Sequence, residues 1–335
     1  MVSRIGLSAS EITELAKERF QEERSIDHLE GWFLAKEIMR RCDEEFQDEP
    51  DSIRIAKTLK KIAGELPLWI SDYHLFAGTQ DDSFARSYAL INPAFTVDSF
   101  SGYCDPVAVF GDIDPIGDIT QERIDDLKEY NNHTAFADAL RRAYDIAGDS
   151  TSEAIFFIEQ VTGHLVPDVR PLLRYGVQGV KAEIRRNMEA ETDEEKKVYF
   201  RAMDTALDAV LILADRYAKL AHKKYEAADE KDKPRYALME ETLRKVPGEG
   251  ADNLYEAIQS FILIWQTMCL EQTPNPFQWE MQTEYLRPTV QGRRQTVRRQ
   301  RHCSNICSFS LMWLTEVGQF PRISLLVENQ IQGRI

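Results

Sequence analysis

His164 stands between Gly163 and Pro167, in a break between two helical stretches. An imidazole titrates near neutrality, so a His in a tight polar turn can act as general acid or base. The same place also suits a His that hydrogen-bonds a local backbone carbonyl. Gly102-Tyr103-Cys104-Asp105-Pro106 is a second string with chemistry in it. Asp before Pro favours a turn, and Cys104 would be reactive if a cation lowered its pKa. No Lys or Arg neighbours it in sequence, which favours a buried thiol. Cys269 lies among Trp265, Met268 and Leu270 and reads as core packing, while Glu271 and Gln272 end the same helix near Pro274, facing a cavity or water. The chain has no Gly-rich phosphate loop, zinc signature or Ser nucleophile elbow.

The elements that must position these residues are mostly helices. Ser8-Ala9-Ser10-Glu11 has the form of a capping box, followed by Ile12, Leu15, Ala16 and Phe20 at helical spacing. A second helix is expected from about Leu29 to Phe46, and a third capped by Asp51 with Ile55, Leu59 and Ile62 on one face. Leu68-Trp69-Ile70 is a short apolar β-type run. From Asn92 to Gly117 the chain is rich in Pro, Gly, Asp and aromatics and reads as ordered but irregular. Thr120 opens a further helix. Others are expected over 134–146, 151–160 and 171–188, and a long one capped by Thr192-Asp193 runs to about Tyr225. Its buried stripe is Ala206, Val210, Leu213, Tyr217 and Leu220. Asp229 to Lys233 is a charged turn, Pro247-Gly248-Glu249-Gly250 a second break, and Leu254 to Leu270 a fully buried helix. Residues 1–277 read as one domain without an internal repeat.

Composition narrows the function classes. The chain has 335 residues, 43% of them hydrophobic, and a formal net charge of −15. Residues 278–335 carry eight Arg against four Glu, a charge of +4, which leaves about −19 on the rest. A body this acidic disfavours nucleic acid and anionic membranes. The five cysteines (Cys42, Cys104, Cys269, Cys303, Cys307) include no pair with a metal-ligand partner set. That usage fits a reducing compartment. The N-terminus has no apolar signal core and no run approaches membrane-spanning length, so a cytoplasmic protein is expected.

Residues 278–335 differ in kind from what precedes them. They contain no Ala, Asp or Lys, and carry Gly292-Arg293-Arg294-Gln295-Thr296-Val297-Arg298-Arg299-Gln300-Arg301. An abrupt change in residue usage points to a change of reading frame, which the genetic code can test. Joining the third base of each codon to the first two of the next, Trp279 to Thr289 permits G-N-A-D-R-I-F-E-A-Y. Leu311 to Glu328 likewise permits D-V-A-D-R-S-W-A-I-S-Q-N-I-L-I-G-G. The hidden text has the alternation of ordinary protein. The tail is therefore expected to be out of frame by one base from about Phe277, and disordered. A genuine basic arm that binds nucleic acid is the rival reading.

Three strings of the body, taken together, resemble the glycyl radical enzymes of the pyruvate formate-lyase superfamily. Glu65-Leu66-Pro67-Leu68-Trp69-Ile70-Ser71-Asp72-Tyr73-His74-Leu75-Phe76-Ala77-Gly78 is similar to the family's early segment ending in D-x-x-L-x-x-G. Gly163-His164-Leu165-Val166-Pro167-Asp168, leading to Leu173-Arg174-Tyr175-Gly176-Val177-Gln178-Gly179, resembles G-H-x-x-P-D followed by L-x-x-G-x-x-G. Ala251 to Phe261 is similar to the family's F-x-E-A-L-Q-S-F helix. The shifted text of the tail continues the same resemblance.

The resemblance implies an α/β fold, a ten-stranded α/β barrel ringed by helices. Residues 1–277 would form its N-terminal part, mostly α-helical with a few strands. It implies a glycyl radical installed by a partner activase that uses S-adenosylmethionine, and a thiyl radical on a Cys that abstracts hydrogen from a small-molecule substrate. A C–C, C–O, C–N or C–S bond then breaks, with a Glu two residues after the Cys as base in many members. This sequence has no G-C-x-E and no R-V-x-G-Y loop, so the chain as written is expected to be inactive, with no catalytic residue, bound cofactor or metal of its own. Only His164 falls on a functional position, where the family's dehydratases face the substrate hydroxyl. A homodimer is compatible with the resemblance. A non-catalytic helical scaffold or interaction protein is the alternative.

Overall fold

The structure, a computed structural model, describes residues 7–25, 30–78, 118–133 and 168–271, together with Asp138, Arg142, Asp145 and Ile146. Among them are eight helices: α1 (Ala9–Ser25), α2 (Glu30–Glu45), α3 (Asp51–Glu65), α4 (Gln121–Asn132), α5 (Arg170–Ala190), α6 (Glu194–Ala227), α7 (Lys233–Lys245) and α8 (Leu254–Glu271). None of the described helices is long and apolar enough to cross a membrane.

Local signals set most helix starts. At α1, Ser8 N–H donates to Glu11 Oε2 (2.8 Å) and Glu11 N–H to Ser8 Oγ (3.3 Å), the reciprocal pair of a capping box. These bonds, with Lys231, hold the Glu11 carboxyl at about 2. Thr120 accepts from Arg123 N–H to start α4, and Asp193 accepts from the N–H groups of Glu195 and Lys196 to start α6. The expected cap at Asp51 is different. Pro50 holds the N-cap position without a side-chain bond, and Asp51 is the first helical residue, paired with Arg54 at 2.9 Å. α7 has no counterpart among the expected helices, although Pro234 in its first turn and the i, i+3, i+7 spacing of Tyr236, Met239 and Leu243, all buried, are helix signals. Leu68-Trp69-Ile70 is not a strand but irregular, and continues so to Gly78. The expected helix over 134–146 is described at four residues, all helical, and that over 151–160 lies outside the described residues.

α6 is the axis of the structure. Its 34 residues span about 50 Å, and α3, α5, α7 and α8 pack around it. Ala209, Leu213, Tyr217 and Ala221 are buried in the main core with Leu59, Ile62, Ala63 and Leu66 from α3 and its end, Met239 and Leu243 from α7, and Leu263 and Trp265 from α8. Burying each Leu or Ile of this set contributes about 1.5–3 kcal/mol. Arg216 closes the C-terminal end of α3, donating to Ala63 O (2.5 Å) and Leu66 O, carbonyls that the helix itself leaves free.

A buried cation joins α5 to α6. Lys181 Nζ is in contact with the Asp204 carbonyl, Asp208 Oδ1 (2.6 Å) and Asp204 Oδ2 (3.1 Å), and Lys60 reaches Asp208 Oδ2 at 2.9 Å. Burial pushes the Asp208 carboxyl up, but the bonds from Lys181 and Lys60 outweigh it and hold the pKa below the usual value of 3.8. A depressed carboxylate stabilises the fold above its unfolded pKa, and that contribution disappears as pH falls through the folded one. Lys181→Met is therefore expected to cost about 2 kcal/mol at neutral pH. This is less than breaking a fully buried pair, because both carboxylates keep contact with water. The variant should also lose less stability than the parent on acidification below about pH 4, as read by denaturant melts at stepped pH.

Candidate functional site: a side-chain cradle and a glycine junction

The three strings singled out above converge on two places in the fold. The first is the segment 71–78, which crosses α7 and α8 in irregular conformation and is held by side chains from far along the chain. Arg235, itself buried, donates from Nη1 to the carbonyls of Asp72 (2.5 Å) and His74 (3.0 Å). Tyr255 Oη donates to Leu75 O at 2.7 Å, and burial pushes its phenol far up. Gln259 takes both backbone groups of Ala77: the Ala77 N–H donates to Oε1 (2.9 Å), and Nε2 donates to Ala77 O (2.8 Å). The segment ends at Gly78, with φ +73°, where a Cβ would lie 2.7 Å from Leu263 Cδ2 and also strike the Gln266 amide. Only glycine combines that backbone with that space. Gln266 Nε2 in turn donates to Tyr217 Oη at 3.0 Å, tying this end to α6.

Apolar and ionic contacts complete the cradle. Leu75 and Phe76 enter a second core with Leu7, Ile12, Leu238, Leu254, Tyr255 and Ile258, and the Phe76 and Tyr255 rings stack at 4.6 Å. Asp72 accepts from Lys224 (3.0 Å) and Tyr236 Oη (3.1 Å), and Lys224 foremost lowers its pKa. Burial pushes the Tyr236 phenol up to about 12. The carbonyls of His74, Leu75 and Ala77 and the Ala77 N–H belong to buried residues, so each of these bonds avoids the roughly 1–3 kcal/mol cost of an unmet donor or acceptor.

The second place is a break in α5. Gly176 has φ +69° and ψ 171°, and there the helix opens toward the turn after α7. Val177 N–H donates to Pro247 O (2.8 Å) and Gln178 N–H to Gly248 O (3.0 Å), while Ala251 N–H donates back to Leu173 O (2.9 Å). A Cβ on Gly176 would come within 2.5 Å of Glu249 Cα and closer still to Gly248 O, and one on Gly250 would strike the Arg174 carbonyl. Lys245 brackets the turn by bonding Asp252 (2.7 Å) and Glu256 (2.6 Å). Asp168 accepts from Arg170 N–H (3.1 Å) at the entry to α5.

His164 lies outside the described residues, four positions before Asp168. So do Cys104, Gln272, Cys303, Cys307 and the expected irregular segment over 92–117; of Cys269 and Glu271 only the helical backbone is described. Cys42 is buried, and burial raises its thiol while a bond with Thr58 works against it. Among the described residues no three His, Cys, Asp or Glu side chains are placed to hold a metal. Arg235, Tyr255, Gln259 and Gln266 were not legible as a set. The available signal was a polar pair, Gln259-Ser260, inside an otherwise apolar helix.

The comparisons with known proteins bear on the same strings. A family model, pyruvate formate lyase-like, matches residues 8–291. The chain belongs to that family. It is 32% identical over 102 residues to the isethionate sulfite-lyase of Desulfovibrio desulfuricans, a match covering 28% of this chain and 12% of that protein. Its fold is similar to the hydroxyproline dehydratase of Clostridioides difficile solved with trans-4-hydroxy-L-proline. The TM-score is 0.70 at 21% identity, over 89% of this chain and 39% of that one. The B12-independent glycerol dehydratase of Clostridium butyricum, solved with glycerol, gives a TM-score of 0.64 at 20% identity, over 83% and 37%. A glycyl radical enzyme of Archaeoglobus fulgidus gives 0.62 at 20%, over 84% and 39%. The chain thus spans less than two fifths of these solved relatives. The described residues, which hold the cradle and the glycine junction, are mostly helical.

Proposed function

We propose that residues 1–277 are the N-terminal part of a cytoplasmic glycyl radical lyase or dehydratase that breaks a C–C, C–O, C–N or C–S bond of a small molecule. The family match over residues 8–291 carries the reading. It is supported by the three strings in family order, two of them built into the cradle and one into the glycine junction. In the intact parent His164 lines the substrate pocket, where its ring can exchange a proton with a substrate hydroxyl. The parent's partner is an activase that uses S-adenosylmethionine and installs the glycyl radical.

The residues present do not fit the radical chemistry on their own. No Cys of this sequence stands in a G-C-x-E loop and no Gly in an R-V-x-G-Y loop, so the groups that would carry the radical are not among these residues. Residues 278–335 are read in a shifted frame, on the grounds of their residue usage and of the text that the shift reveals. The family match runs to residue 291, so the codons to be checked extend from Pro274 to Gln291. Sequencing across them is expected to recover one base and a frame several hundred codons longer, through a Cys loop and a Gly loop. The frame-restored protein, treated anaerobically with its activase, should give the doublet spectrum of a glycyl radical and turn over a small hydroxylated or sulfonated compound. DNA that supports the present frame, with related genes encoding the same arginine-rich ending, would refute the proposal.

A further inference from the structure

The start of the cradle carries a titratable group in a structural bond. Ser71 and His74 close a turn on each other: His74 N–H donates to Ser71 O at 3.1 Å, and Ser71 N–H donates to His74 Nδ1 at 3.3 Å. Tyr73 N–H adds a bond to Ser71 Oγ at 3.1 Å. His74 is buried, and its ring lies against that of Trp69, with centroids 5.4 Å apart. An Nδ1 that accepts a hydrogen bond cannot also carry a proton, so the closed turn requires the neutral imidazole.

From this geometry we infer that His74 is a pH-operated latch on segment 71–78: protonation at Nδ1 sets two donors against each other, opens the turn and releases the segment from its cradle. The charged groups that the described residues bring near this turn balance each other, Arg235 and Lys224 against Asp232 and Asp72. From α7 come Arg235, bonded to His74 O, its partner Asp232, and Tyr236; from α6 comes Lys224; from α8, Tyr255 on the neighbouring carbonyl; and from the segment itself, Asp72. The Asp72 carboxylate is bonded by Lys224 and Tyr236. Its lowered pKa keeps it ionised well below the histidine range, so acid in that range acts on the ring first. Opening the turn moves the two carbonyls that Arg235 holds, and the bonds at Leu75 and Ala77 follow in sequence.

The test uses the full chain between about pH 8 and about pH 5, which brackets an ordinary histidine. Hydrogen exchange at the amides of Ser71 and Ala77, corrected for its intrinsic pH dependence, is expected to accelerate by about tenfold or more across that range, since each proton taken up shifts an equilibrium by up to tenfold per pH unit. Trp69 emission should fall in step. His74→Asn keeps an acceptor near the Nδ1 position and cannot titrate, so its exchange should be slow and flat with pH, whereas His74→Ala should be fast throughout. Helicity by circular dichroism shows whether each variant is folded. If either is not, the His74 ring resonance of the unaltered chain is followed instead, and its midpoint must coincide with the exchange step. The inference is overturned by an acid step that persists in His74→Asn, by a ring midpoint away from that step, or by a fall in emission without faster exchange. None of these outcomes bears on the reading frame or on the parent's reaction.

Discussion

Gly176→Ala is expected to destabilise the helical layer by about 3–5 kcal/mol, near the upper end of single-residue effects. Two costs add. An L-residue held at φ +69° is strained by about 1–2 kcal/mol. The new Cβ also meets Gly248 and Glu249 backbone, which cannot rotate aside as a side chain would. Relief requires α5 and the turn after α7 to separate, which gives up the bonds Val177–Pro247, Gln178–Gly248 and Ala251–Leu173. A denaturant melt reads the effect. Gly64→Ala is the control: it sits in α3 with nothing within 4 Å of its would-be Cβ, so it should be neutral or stabilise by up to about 1 kcal/mol. Equal melts for the two variants would show that the junction is not the close approach described.

Arg235→Met is the second large effect, at about 3–4 kcal/mol. Methionine fills most of the volume, so the loss is electrostatic. The buried His74 carbonyl and the part-buried Asp72 carbonyl lose their donor, and an unmet buried acceptor costs about 1–3 kcal/mol, a part-buried one less. Asp232 loses its partner as well, but is well exposed and adds little. The loss should be local first, with amide exchange speeding at Ala77 before it speeds in α6. Uniform acceleration across α3, α6 and α8 would mean that Arg235 supports the whole core rather than the cradle.

What was legible in the sequence follows from the range of the interaction. The capping box at Ser8 and Glu11 and the caps at Thr120 and Asp193 involve residues two or three apart, and the sequence places them correctly. Period 3.6 over many turns also gave α6, where Val210, Leu213 and Tyr217 are buried as expected and Ala206 and Leu220 flank the same core. Asp51 misled because Asp is a strong N-cap in general, but Pro50 already supplies the extended backbone that an N-cap needs. Leu68 to Ile70 misled because a short apolar run has the same composition whether it joins a sheet or lies across helices. The cradle was out of reach for a different reason. Ala77 and Gln259 are 182 positions apart, and nothing local marks a glutamine as the partner of a particular peptide group. The family strings pointed to both ends of that contact without stating that they touch.

That separation has a consequence during synthesis. Leu7 and Ile12 aside, the groups that seat Leu75 and Phe76 belong to α7 and α8, and a ribosome adding about 5–20 residues per second needs roughly 10–40 s to make the 182 positions between Ala77 and Gln259. Through that interval the nascent chain displays an apolar stretch with most of its seat missing, a natural target for a chaperone that grips short hydrophobic peptides. Release would come only when the glutamine clears the exit tunnel.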